Sequence, residues 1–175
     1  MVVSTFDDAL AAVLKEEGGF VNDSRDPGGM TNLGVTKQTW EAYTRKPATT
    51  ADMKALTPAK VAPLYRDRYW RVAGCDVMPP ALALCVFDFA VNAGPGRAAK
   101  FLQMISGSSA DGQVGPATLK AVQQAVAAKG LPEIIRRYMN ARRDYYRSLP
   151  NFGVFGKGWL ARCDRMETQA LRMCK

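Results

Sequence analysis

The 175-residue chain contains no histidine. Ser-His-Asp triads, Cys-His dyads and histidine-rich zinc sites are therefore excluded. Cysteine is scarce as well: Cys75, Cys85, Cys163 and Cys174 show no C-x-x-C pair. A zinc cluster is not expected, and free thiols in a reducing compartment are. Cys163 and Cys174 lie about three helical turns apart and could not bridge within one helix. The longest apolar stretch, Ala81 to Ala93, is interrupted by Asp88 and Asn92 and is too short to span a bilayer. No basic, apolar leader opens the chain, so synthesis in the cytoplasm without a signal peptide is expected. Any work outside the membrane would then follow release by another agent. No internal repeat or low-complexity linker is present. What chemistry the chain performs must rest on carboxylates, Tyr, Lys, Ser or Thr.

With 47% hydrophobic and 23% charged residues, the composition is that of an ordered globular protein. The net charge of +8 is uneven, because residues 129–175 hold 11 basic and 4 acidic side chains. Such a tail suits a polyanionic partner, whether an anionic envelope surface, a cell-wall polymer or a nucleic acid, or is simply a solvated helix face. The sequence carries no nucleic-acid reader motif, and its aromatics follow core spacing, so no specific nucleic-acid partner is expected.

Apolar periodicity and capping signals predict a mainly α fold with a small β or loop element near residues 20–35. The first helix should run from about Phe6 to Glu17, capped by Ser4 or Thr5 and ended by Gly18-Gly19. Further helices are expected from Thr36 to Tyr43, from Thr50, and from Pro58 to about Tyr69. Ala81 to Asn92 is apolar on nearly every face and reads as a buried central helix. Helices follow over Arg97 to Ile105, Pro116 to Ala128 and Pro132 to Ser148. Pro150 to Gly158 reads as a glycine-rich loop before a last helix that carries the stripe Trp159, Cys163, Met166, Ala170 and Met173. Asp111-Gly112 reads as a turn before a helix, with too few carboxylates behind it for a calcium loop.

In the first helix, Phe6, Leu10, Val13 and Leu14 lie within roughly 60° of the direction of Glu17, whereas Glu16 turns toward solvent. A carboxyl group set in an apolar stripe loses hydration, which favours its protonated form. A protonated carboxyl can act as the general acid of glycoside hydrolysis. Alternatively, Glu17 is a helix-end residue paired with an arginine. Asp26 follows nine residues later and could be a second carboxylate, or a turn residue before Pro27-Gly28-Gly29. Thr31, Asn32 and Thr36 are candidates for positioning water or substrate. Phe20, Tyr69 and Trp70 could line a cleft or pack in a core. Asp88 and Asn92, four apart on the central helix, could line the cleft or serve structural pairing.

The runs Glu17-Gly18-Gly19-Phe20, Asp26-Pro27-Gly28-Gly29 and Thr31-Asn32-Leu33-Gly34-Val35-Thr36 together resemble the signature of glycoside hydrolase family 108. Phe20 stands where Tyr is commoner, and Val35 where Ile is. Tyr69-Trp70 and Phe87 to Ala99 resemble the middle of the same family. Leu102-Gln103 and Asp111 to Leu119 resemble the peptidoglycan-binding segment usually joined to it. The resemblance covers roughly residues 6 to 165.

It implies a lysozyme-like, two-lobed helical N-acetylmuramidase of the phage endolysin type, acting on bacterial peptidoglycan as a monomer without metal or cofactor. It carries the acid role to Glu17 and, by the nine-residue interval shared with another phage lysozyme family, the second-carboxylate role to Asp26. Residues 1–92 would form the hydrolase region, and residues 93–175 a helical peptidoglycan-binding region packed against it. A non-catalytic wall-binding or virion structural protein of the same fold is the alternative.

Overall fold

The computed structural model describes residues 6–22 and 29–175. Ser4, Thr5 and Asp26 lie outside the described residues. Nine α-helices and a three-stranded antiparallel sheet are present among those described.

Helix α1 (Phe6–Glu17) opens the chain with Asp7 and Asp8 in its first turn, where they face the positive end of the helix dipole. Strands β1 (Val21–Asn22), β2 (Met30–Asn32) and β3 (Val35–Thr36) form the small sheet in that order. Thr31 pairs with both Val21 and Thr36, and Asn32 with Val35. The β2–β3 hairpin turns through Leu33 at φ 51° and Gly34 at φ 73°. Two successive positive φ values suit the twist of a two-residue hairpin. Asn32 anchors the strand from within: it is buried and its Nδ2 donates to the Met53 carbonyl at 2.9 Å.

Thr36 caps α2 (Lys37–Thr44) by accepting from the Thr39 amide. A reciprocal capping box between Thr49 and Asp52 starts α3 (Thr50–Lys54). Thr57 caps α4 (Pro58–Tyr65), with Pro58 in its first turn. One helix to about Tyr69 is expected from sequence. Instead, the chain widens into a π-helical turn over Arg66–Trp70. Tyr65 and Tyr69 lie on one side of this junction, ring centroids 5.6 Å apart.

Helix α5 (Pro80–Ala93) is the centre of the molecule, with every residue from Ala81 to Ala90 buried. A helix apolar all round must be surrounded. Helices α1, α6 (Pro95–Ser106), α8 (Leu131–Arg147) and α9 (Phe152–Arg172) surround it, and α7 (Pro116–Lys129) packs outside against α6 and α8. Aromatic pairs join the layers: Phe87 meets Trp70 edge-on and Phe6 at a tilt, and Phe89 meets Phe101, Tyr138 and Tyr146 edge-on. No helix among the described residues is long and apolar enough to cross a membrane.

The loop expected over Pro150 to Gly158 is mostly helical, because α9 already begins at Phe152. Glycine lowers helix propensity, but tertiary packing overrides it here. At Gly156 a β-carbon would collide with the Phe152 ring, so the glycine lets that ring fold back along its own helix.

The basic tail is also less free than its composition suggests. Arg142 is wholly buried. Arg143 binds Asp164 and Glu167, Arg137 binds Glu133, Arg147 binds Asp144 and Arg165 binds Glu16. Arg142 thus belongs to the core and Arg143 to an interhelical ion pair, and neither is free to meet an envelope surface. Arg136, Lys129, Lys157, Arg172 and Lys175 remain exposed.

Candidate active site

Glu17 ends α1 where the apolar stripe runs out, and its side chain is 19% exposed. Its Oε1 accepts from Arg162 Nη2 of α9 at 2.6 Å. Arg pairing and enclosure, posed as alternatives by the sequence, are therefore both present. Glu16 does not face open solvent as expected. Only 12% of its side chain is exposed, and Arg165 grips both its oxygens at 2.8 and 2.6 Å.

The other side of Glu17 meets the hairpin. A β-carbon on Gly34 would stand 2.9 Å from Glu17 Oε2, 2.9 Å from its Cγ and 2.6 Å from the Tyr65 hydroxyl. Glycine thus lets the exposed hairpin turn pack directly against Oε2 and the Tyr65 hydroxyl. Tyr65 closes the floor. It is 1% exposed, and its hydroxyl donates to the Leu33 carbonyl at 2.7 Å. Burial, and next the charge of Glu17, push the Tyr65 phenol far above its usual range, so it stays a neutral donor. Tyr69 stands beside it, half-buried. Its phenol is also raised, by burial first, with the negative charge of Glu17 adding and Arg68 opposing.

Behind Glu17 lies a buried charge network. Asp88 is inaccessible on α5. Arg162 donates to it through Nε at 3.0 Å and Nη2 at 2.8 Å, and Arg142 Nη1 sits 2.6 Å from its other oxygen. Burial alone would favour the neutral acid, but the two guanidinium charges overcome it and hold Asp88 below its ordinary 3.8. Arg142 in turn donates to the Tyr146 hydroxyl, which donates to Asn92 Oδ1. One guanidinium therefore ties the carboxylate at the cleft to the centre of the fold.

The candidates from sequence separate accordingly. Glu17, Gly34, Tyr65 and Tyr69 converge. Thr31 is half-buried in the central strand, opposite Thr36. Thr36 is engaged as a helix cap and also donates to Thr39 Oγ1 at 2.9 Å. Asn32 is engaged through its amide nitrogen with Met53. Phe20 is half-buried, with Lys54 Nζ 5.3 Å from its ring centroid. Two cleft-lining readings are corrected. Trp70 is 5% exposed, packed against Phe6 and Phe87, and its Nε1 donates to Asp76 at 2.7 Å. Asp88 faces arginines, not solvent. Asn92, one turn farther along α5, is exposed. Arg162, Arg142, Tyr65 and Gly34 escape a sequence reading of single elements, because each meets its partner in a distant element: Tyr65 and Leu33 are 32 residues apart, and Arg162 and Glu17 are 145 apart.

Residues 10–94 match the family model described as Glycosyl hydrolase 108. A solved structure of Brucella abortus SagA superposes with a TM-score of 0.84 at 36% identity, over 97% of this chain and 95% of that one. The chain belongs to the glycosyl hydrolase 108 family. Residues 97–164 match a second model, described as Predicted Peptidoglycan domain. No curated protein matches the chain. Family and second model together point to a glycoside hydrolase acting on peptidoglycan, in a mainly helical, lysozyme-like fold.

The Gly34 contact yields a direct prediction. Gly34→Ala forces a side chain into left-handed backbone and into the space shared by Tyr65 and Glu17. Turnover should fall about 10- to 100-fold through misplacement of the carboxyl, while stability falls by about 1–3 kcal/mol. Kinetics beside thermal melting will check this; wild-type turnover would show that the packing of the hairpin against Glu17 does not set the position of a working carboxyl.

Proposed function

We propose that the protein is an N-acetylmuramidase that hydrolyses the β-1,4 bond between N-acetylmuramic acid and N-acetylglucosamine in bacterial peptidoglycan, with Glu17 as the general acid. The observation that carries this reading is a partly exposed carboxyl at the end of α1, with Arg162 holding Oε1 and the exposed turn at Gly34 packed beside Oε2. A glycosidic oxygen approaching the exposed edge of the carboxyl meets Oε2, the oxygen not occupied by the guanidinium. Proton transfer from Oε2 to that oxygen breaks the bond to the leaving sugar. Arg162 fixes the carboxyl's orientation, and Tyr65 and Tyr69 exclude water from its buried side.

Asp26 is proposed as the second carboxylate, activating water or stabilising the oxocarbenium-like transition state. Thr31 is the hydroxyl nearest in role for positioning that water, since Thr36 and Asn32 are already engaged. The first 92 residues are proposed as the hydrolase region, and the remainder as the peptidoglycan-binding region. A monomeric endolysin, made in the cytoplasm of a phage host and released to the wall, fits this role. The exposed Lys129, Arg136 and Lys157 would favour anionic envelope surfaces.

The Glu17–Arg162 ion pair favours a second reading, in which Glu17 is structural and the protein only binds wall polymer. Purified peptidoglycan in suspension separates the two. The muramidase clears it and releases soluble fragments, whereas a binder sediments with an intact wall.

A further inference from the structure

Helix α9 continues outward from the site. Arg162, Trp159 and Phe155 fall at i, i−3 and i−7, one face of the helix. Over that interval the helix rises about 10 Å. Trp159 is half-buried, and its ring stacks on Tyr146 with centroids 5.2 Å apart and planes at 27°. Phe155 follows at 5.7 Å from Trp159 and is 53% exposed, beside Val154 at 77%. Large apolar side chains left this open invite an occupant.

The neighbouring polar group is informative. Asn92 Oδ1 is occupied by the Tyr146 hydroxyl. Its amide nitrogen has no partner among the described residues and lies on an exposed side chain. The surface therefore offers flat aromatic faces edged by a free amide donor. A pyranose presents the complement, a flat C–H face rimmed with hydroxyl and acetamido oxygens. A buried network lies behind the patch and ties it to the site: Tyr146 binds Arg142, Arg142 binds Asp88, and Asp88 binds the Arg162 that holds Glu17, so both ends of this helix face rest on one rigid support. Phe155, Trp159 and Tyr146 all fall within residues 97–164, the segment matching the peptidoglycan model.

We propose that Phe155 and Trp159, edged by Asn92, form a sugar-stacking platform that extends the glycan-binding cleft along α9, holding part of the same strand that Glu17 cuts. The platform rests on the hydrolase reading for its strand, and its own contribution is affinity for long strands. Its loss should raise KM and leave kcat at saturation unchanged.

The test uses glycan strands stripped of their peptides, with binding measured on full-length protein carrying Glu17→Gln to prevent cutting. Phe155→Ala and Phe155→Leu should each weaken binding about tenfold, and Phe155→Tyr should restore it, because a ring face rather than apolar bulk is required. Phe155 is exposed, so these variants should fold normally. Trp159→Ala should weaken binding further; its melting curve checks the Tyr146 contact. Wild-type affinity in both Phe155→Ala and Phe155→Leu overturns the proposal. So does a dimer in sedimentation that Phe155→Ala dissolves, since the patch would then be covered by a second copy. Cleavage by otherwise wild-type protein is scored separately. A protein whose strand binding depends on Phe155 but that never cuts keeps the platform and loses the hydrolase reading. Normal cutting with Phe155-independent binding does the reverse.

Discussion

Glu17→Gln is expected to lower the rate of peptidoglycan solubilisation by about 1,000-fold or more while leaving the fold intact. General acid catalysis contributes about 10²–10⁴-fold, and an amide at this position has no carboxyl proton to give. The fold should survive because Gln offers Arg162 the same carbonyl-type acceptor. Arg162 also keeps its bonds to Asp88 at 2.8 and 3.0 Å, so its charge is not orphaned. The melting temperature should therefore move by no more than about 3 °C. Rate and melting measured on one preparation check both halves. Comparable loss of both would make Glu17 a structural residue.

Asp88→Asn should have the largest effect on stability. It leaves Arg142, wholly buried, and Arg162, nearly so, without the charge that compensates them. Removing one member of a buried ion pair costs about 3–5 kcal/mol. That corresponds to a fall of roughly 10 °C in melting temperature for a chain of this size. Activity should fall as well, because Arg162 would no longer present a fixed guanidinium to Glu17.

The same network sets an acid limit. Folded Asp88 holds its proton off to lower pH than the ordinary 3.8, so the unfolded chain protonates first as pH falls. The stabilisation is thus complete above about pH 4–5, and is lost progressively as pH drops through the folded value. Wild type should lose melting temperature below pH 4 more steeply than Asp88→Asn, which has nothing there to titrate. Parallel slopes would remove Asp88 from the account of acid stability.

Much of the helical framework is legible because capping, proline and periodicity are local signals. Thr57-Pro58 starts α4, and Gly130 ends α7, as a reader of the sequence expects. Local rules fail where packing decides. Phe152 and Gly156 make helix out of a glycine-rich segment, and the π turn at Arg66–Trp70 breaks a continuous pattern. Glu17 is legible from its place in an apolar stripe and from its family signature. Arg162 is not, since 145 residues separate it from Glu17 and nothing in its own helix marks it as a partner. Gly34 is legible as a turn residue, but its second role lies in the volume it leaves beside two distant side chains. Asp88 is a reading left open by sequence and decided by packing: a charge on a buried helix suits either a cleft or a pairing, and two arginines from other helices supply the pairing.

Mass spectrometry of the fragments released from purified peptidoglycan tests the central claim most directly. Acid-catalysed hydrolysis through Glu17 predicts new reducing ends on N-acetylmuramic acid, present with wild type and absent with Glu17→Gln. Reducing-end glucosamine, an anhydro-muramic end, or the same products from Glu17→Gln would contradict it.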